Sequence, residues 1–217
     1  MKFKHLLVGL CFLPSICFAQ INTISVITSD QDTFKNPYIK NTTQLANHLS
    51  SQKKQVLTLK DFNGLNGAFI KAMVQRNGLL KTFSYKNEKQ EKCPANFPCS
   101  SVQSETTQDF EDAIYQLLQT GDGIVFLPGG FSVMYAFNYL QVLSKDKEIN
   151  YKPVVFLNTN HYFERFRQML VEMNRQSVIS NEVFETIVFE NKPENILKVL
   201  QQTEQRIQTL IKQKKLQ

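Results

Sequence analysis

One segment gathers the residue types that can handle a ligand. Gly121-Asp-Gly-Ile-Val-Phe-Leu127 runs into Pro128, Gly129, Gly130, Phe131, Ser132 and Val133. An apolar strand that ends in Pro-Gly-Gly and leads into a helix lets backbone approach a ligand closely, because glycine has no Cβ. The helix start adds free N–H groups and a positive dipole end, the ingredients of an anion site. Ser132 stands where its hydroxyl would cap that helix or meet a phosphate oxygen. The same pattern also serves as a tight strand-to-helix turn with no ligand, and a short glycine motif does not separate the two.

Other chemistries have less support. There is no Gly-x-Ser-x-Gly elbow, no Walker loop and no paired metal-ligand motif in the sequence, so neither a cofactor nor a metal is expected. His161 begins a helical stretch, but no acid or nucleophile at a telling spacing accompanies it.

The elements that must position this segment alternate. Strand patterns fall at 24–28, 55–59, 79–85, 124–127, 154–157 and 186–189. Helical spacing falls at 41–49, 68–74, 108–118, 133–143 and 162–173, and Pro193 opens a long final helix in a first-turn position that suits proline. A polar, proline-bearing loop separates the third strand from the helix at 108. Uniformly apolar strands separated by helices imply a parallel sheet covered on both faces. Right-handed crossovers then give a doubly wound, Rossmann-like three-layer α/β/α sandwich, in which ligands sit beyond the C-terminal ends of the strands.

Composition agrees with one domain. The chain has 217 residues, of which 42% are hydrophobic, enough for a real core. Residues 1–19 read as a signal peptide: Lys2, Lys4 and His5 form a basic head, 6–18 is an apolar run broken by Pro14, and Ala19 precedes Gln20. The run is too short for a permanent anchor, so no stable membrane attachment is expected after cleavage. Residues 20–217 form the single mature domain, expected in the periplasm or secreted. Losing Lys2 and Lys4 lowers the net charge from +6 to about +4. The only basic cluster is Lys212, Lys214 and Lys215, a helix end rather than a nucleic-acid stripe. Cys93 and Cys99 flank a proline-bearing stretch and are the only cysteines of the mature chain, which in an oxidising compartment points to a disulfide between them. Free thiols are the alternative.

The Leu-Pro-Gly-Gly-aromatic-helix segment resembles the LOG (lonely guy) family signature Pro-Gly-Gly-x-Gly-Thr-x-x-Glu, a family formerly labelled lysine decarboxylases. Lys152-Pro-Val-Val-Phe-Leu-Asn158 and His161-Tyr-Phe follow in the family's order, and Asn63-Gly-Leu-Asn-Gly67 is similar to its Gly-Leu-Met-Gly turn. The likeness is strong over 107–200 and weak before that. It implies a Rossmann-like, usually dimeric fold that hydrolyses the N-glycosidic bond of nucleoside 5′-monophosphates. That reaction needs a carboxylate near the ribose and donors for the phosphate. The chain departs at those positions. The motif's Gly-Thr falls on Ser132 and Val133, its Glu on Ala136, the arginine of an upstream helix on Ala113, and a second glycine stretch on Leu59-Lys60-Asp61.

Asp61, Glu111 and Asp112 lie near the lost positions, and each reads as a solvated carboxylate. Asp122 precedes its strand, away from the ligand side. Three readings follow. The first is a non-catalytic or weakly active relative that binds a nucleotide-like or phosphorylated ligand through residues 128–133. The second is a hydrolase with rearranged side chains. The third is an interaction protein whose cleft is filled by Phe131, Met134, Tyr135 and Phe137. A homodimer is expected from the resemblance and from the several apolar faces of the helix at 133–143.

Overall fold

The computed structural model describes residues 20–29, 31–86, 97 and 102–216. Seven strands form one sheet: β1 (Thr23–Ile27), β2 (Gln55–Leu59), β3 (Leu80–Tyr85), β4 (Gln103–Thr107), β5 (Gly123–Phe126), β6 (Val154–Leu157) and β7 (Ile187–Glu190). Their order is β4-β3-β2-β1-β5-β6-β7 and every pairing is parallel. Helices α1 (Tyr38–Ser51), α2 (Gly64–Gln75), α3 (Phe110–Thr120), α4 (Phe131–Lys145), α5 (Glu164–Arg175), α6 (Asn181–Phe184) and α7 (Ile196–Lys212) connect and follow them. This is the Rossmann-like α/β/α sandwich that the alternation implies.

Strand periodicity splits the core in two. Along β5 and just past it, Ile124 and Phe126 pack with α3, α4 and α5, while Val125 and Leu127 pack with α1, α2 and α7. On the first face, register stacks phenyl rings. Phe126 pairs with Phe156 and Phe156 with Phe189, with ring centroids 4.9 Å apart in both steps. Phe137, Phe163 and Phe166 close over Phe156 edge-on, the geometry that the ring quadrupole favours.

Strand β4 has no counterpart in the sequence pattern. It is Gln-Ser-Glu-Thr-Thr, and all but Thr107 are exposed. It adds to β3 at the rim of the sheet by backbone pairing, with a Lys81–Glu105 ion pair alongside. His161 does not begin a helix: it closes a 3-10 turn, Thr159–His161, with Asn160 and His161 both at positive φ, and α5 starts at Glu164.

Candidate functional site

The sheet reverses its winding between β1 and β5, so the loops leaving these two strands diverge and open a crevice at their C-terminal ends. The Pro128-Gly129-Gly130 turn forms one wall. A Cβ on Gly129 would lie 2.4 Å from Val133 Cγ2 and 3.3 Å from Ser29 N, so this position needs glycine for close approach. A Cβ on Gly130 would meet nothing within 4 Å. The turn is pinned from both sides. Tyr162 donates its hydroxyl hydrogen bond to the Gly129 carbonyl at 2.8 Å, and Thr28 donates to the Pro128 carbonyl at 3.4 Å. Burial raises the Tyr162 phenol above its ordinary value, with Tyr38 adding to the shift and the Gly129 bond opposing it.

Helix α4 starts at Phe131 with Gly130 as its N-cap, and no side chain caps it. Its first N–H groups therefore lack intrahelical acceptors. Ser132 lies two residues too far along to be the cap. Its hydroxyl lines the crevice instead. The remaining members of the segment separate. Pro128 and Val133 are buried, Val133 fully so, and offer a ligand no side-chain surface. Phe131 is 95% exposed.

Two depressions flank the turn. On the β2–β3 side lies a polar cleft of about 110 Å³, floored by Thr28, Thr58 and Asn66 and walled by Asp61, Ser132 and the rings of Tyr85 and Phe110. On the α5 side lies a wider, mostly apolar groove of about 380 Å³ between Phe131, Met134, Tyr162 and Phe166, with Arg165 at its edge. Phe131 and Tyr135 do not plug the cleft, and Phe137 is buried in the core beneath α4. The mouth is thus open, unlike the crowded one that the apolar residues of 131–137 suggest.

The second glycine turn, Asn63-Gly-Leu-Asn-Gly67, does come to the same rim and starts α2. Gly64 has φ 54° and Gly67 has no room for a Cβ, which would sit 2.0 Å from the Phe62 carbonyl oxygen. The helix start is already occupied by the chain itself: Gly64 N–H donates to the Asp32 carboxylate at 2.8 Å and Asn66 N–H to the Ser29 carbonyl at 3.2 Å.

The carboxylates sort differently from one another. Asp61 lines the cleft and accepts from Asn63 N–H at 2.8 Å, so it is not merely a solvated end. Asp109 caps α3 by accepting from Asp112 N–H, and Asp112 in turn accepts from Gln108 N–H. Glu111 is exposed. Burial raises the Tyr135 phenol above its ordinary value, with Glu111 and Asp109 adding to the shift. Asp122 sits at the opposite rim of the sheet, as its place before β5 implies. His161 is exposed on the ligand-bearing rim. Ala113 and Ala136 are both 0% exposed and pack in the apolar core.

Thr28, Thr58 and Tyr85 escape a sequence reading centred on the glycines. Their signal is weak: a hydroxyl residue at or just past the end of a strand. Among the described residues no group of three His, Cys, Asp or Glu could hold a metal, and no helix is long and apolar enough to cross a membrane. Cys93, Cys99 and the 1–19 segment lie outside the described residues.

A family profile described as "possible lysine decarboxylase" matches residues 67–200. Among solved structures, the fold is similar to the molybdenum cofactor carrier protein of Chlamydomonas reinhardtii, at 11% identity and TM-score 0.61, covering 85% of this chain and 98% of that one. It is also similar to the molybdenum cofactor binding protein of the phototrophic bacterium Rippkaea orientalis, at 14% identity and TM-score 0.59, covering 84% and 97%. At these identities the likeness concerns the fold. No curated protein sequence matches the chain.

Proposed function

Because the chain belongs to the possible lysine decarboxylase family, the LOG-like group whose signature its 128–133 segment resembles, we propose that it binds a nucleotide-like or phosphorylated ligand in the crevice and has little or none of the LOG hydrolase activity. One observation carries the proposal. The positions that the resemblance assigns to the family's carboxylate and guanidinium are Ala136 and Ala113, two methyl groups sealed in the core, while the crevice beside them stays open and partly polar. A methyl group neither stabilises a sugar cation nor moves a proton. Losing such groups costs roughly two to four powers of ten in rate each, although they act as a unit and do not multiply.

The test is free-base release from AMP and cytokinin ribotides, beside calorimetric titration with the same compounds and an active relative as control. Binding without release is expected. Robust adenine release would favour the second reading, a rearranged hydrolase, for which Asp61 in the cleft wall is the acid to replace first. The names of the two fold neighbours add molybdenum cofactor to the binding panel. A filled, purely structural cleft is the least favoured reading, because buried hydroxyls floor an open space.

Three further features belong to the proposal. Residues 1–19 support export to the periplasm or beyond, and Cys93 and Cys99 a disulfide. Thiol titration of the unfolded, unreduced protein should find neither cysteine free. A homodimer is supported by the outer side of α4, where Phe131, Tyr135 and Val142 are exposed at helical spacing. Light scattering at micromolar concentration should report twice the chain mass.

A further inference from the structure

We infer that the groove between α4 and α5 is a second binding site, separate from the cleft across the Pro128-Gly129-Gly130 turn. It takes a planar aromatic ring that bears one carboxylate, and Arg165 is the partner of that acid. The groove stands on the α5 side of the turn and requires no ligand in the cleft.

Helix α5 carries three arginines, and two of them are already committed. Arg167 pairs with Glu164 and Arg175 with Glu172, each at 2.8 Å and each three residues from its partner. Arg165 has no carboxylate partner among the described residues. Helical spacing explains the difference. Three and four residues from Arg165 stand His161, Tyr162, Gln168 and Met169, none of them acidic. Glu164, its neighbour in sequence, turns to Arg167 instead, and the Arg167 hydrogen bond holds that carboxyl below its ordinary value. Arg165 is also the one charged side chain that lines the groove among the described residues. A guanidinium without a counter-ion matches one carboxylate, which it can meet with two parallel N–H bonds. A phosphate monoester would bring a second negative charge that the groove does not answer.

The walls suit a ring. Phe131 and Met134 come from α4, and Tyr162, Phe163 and Phe166 from α5 and the turn before it. The α5 side is already set in place. The Tyr162 hydroxyl is tied to the Gly129 carbonyl, and its ring meets Phe34 and Phe163 edge-on at 5.7 and 4.9 Å. Phe166 meets Phe137 and Phe156 edge-on at 5.3 and 5.4 Å. On the α4 side Phe131 is 95% exposed, so a ring laid in the groove removes apolar surface that the fold leaves in water. Aromatic side chains receive such a ring edge-on or offset-stacked, and the Met134 thioether adapts to it. A volume of about 380 Å³, mostly apolar with a single orienting charge, has the size and lining of a small-molecule site.

The experiment is calorimetric titration of the protein with 2-naphthoate, its neutral counterpart 2-naphthamide, and acetate, with light scattering on the same samples. It is repeated on Arg165→Gln and Phe131→Ala. Both side chains are exposed, so both variants should fold, and circular dichroism melts check this. Naphthoate should bind about tenfold or more tightly than naphthamide. Acetate, an acid without a ring, should give no heat. Arg165→Gln should bring naphthoate down to the level of naphthamide and leave naphthamide unchanged. Phe131→Ala should weaken both by a similar, severalfold factor. AMP should not displace naphthoate. Equal affinity for the acid and the amide, naphthoate binding that the folded Arg165→Gln variant leaves unchanged, or no binding at all would overturn the inference. Displacement by AMP would also overturn it, by joining the groove to the cleft. So would a dimer that excludes naphthoate and falls apart in Phe131→Ala, which would give the groove to a second copy of the chain.

Discussion

The two rims of the sheet use similar polar residues to opposite ends. At the rim where strands begin, polar groups cancel one another. The Asp122 carboxylate accepts from Asn22 and Thr23 N–H, both at 2.9 Å. Lys152 donates to the carbonyls of Leu118, Gln119 and Gly121 at 2.8, 2.6 and 2.6 Å, closing the end of α3. Lys54 donates to the Ile21 carbonyl, and Ser25 to the Leu117 carbonyl, at 2.6 Å each. Gly121 fits so closely that a Cβ would stand 2.5 Å from Ser25 Oγ. At the rim where strands end, the buried threonines and Asn66 keep acceptor capacity, and Phe131 stands in solvent. Residue type alone does not mark a site. What marks it is the hydrogen-bonding capacity left over once the protein has satisfied itself.

The comparison can be broken by substitution, and the largest effect should come from Ala136→Glu. Restoring the family's residue there pushes a carboxylate into a fully enclosed apolar position. It should cost about 4 kcal/mol or more in urea denaturation and recover no base release. A stable, active variant would show that α4 can turn this face to the cleft. Lys152→Met comes next. It leaves three carbonyls without their donor and should cost about 2–4 kcal/mol, while ligand affinity in the folded fraction stays unchanged. A loss of affinity at constant stability would put the beginning rim in the site.

Ser132→Ala should do the reverse. Its hydroxyl caps nothing, so unfolding should shift by no more than about 0.5 kcal/mol, and any change belongs to binding, by severalfold. The smallest effect concerns pH. Burial lowers Lys152 to about 8 from its ordinary 10.5, with Asp122 and Glu204 pulling it back up. Between those values the unfolded chain keeps a proton that the folded chain has released, so this group's contribution to stability rises with pH through that window and is least favourable below it. Stability curves of the parent should carry this upward component and those of Lys152→Met should lack it.

Six strands and the main helices are legible in the sequence because apolar runs and helical spacing report burial directly. β2 and β6 begin and end where the pattern places them, and the others shift by a residue. β4 is invisible because a polar rim strand is made by backbone pairing, which leaves no hydrophobic trace. The Pro-Gly-Gly turn is equally legible, but its neighbours are not. Thr28, Thr58, Tyr85 and Phe110 are far apart in the chain and meet only because strand order brings β1, β2 and β3 to one rim beside α3. The capping role suggested for Ser132 fails by register: α4 begins one residue before it. Asp61 turns into the cleft because the turn leading into α2 holds it there through Asn63 and Asn66.

Strand β4 has a consequence for how the molecule resists self-association. Its side chains bury almost nothing, yet it occupies the outer edge of β3, where Phe83 and Thr82 are enclosed. An exposed β3 would offer a stickier template to a second chain than Gln-Ser-Glu-Thr-Thr does. With so little burial to hold it, β4 should open locally, exchanging its amide hydrogens well before the central strands do. Each opening uncovers β3 briefly. The rate at which the protein aggregates on storage should therefore follow the detachment of this one polar strand rather than unfolding of the whole sheet.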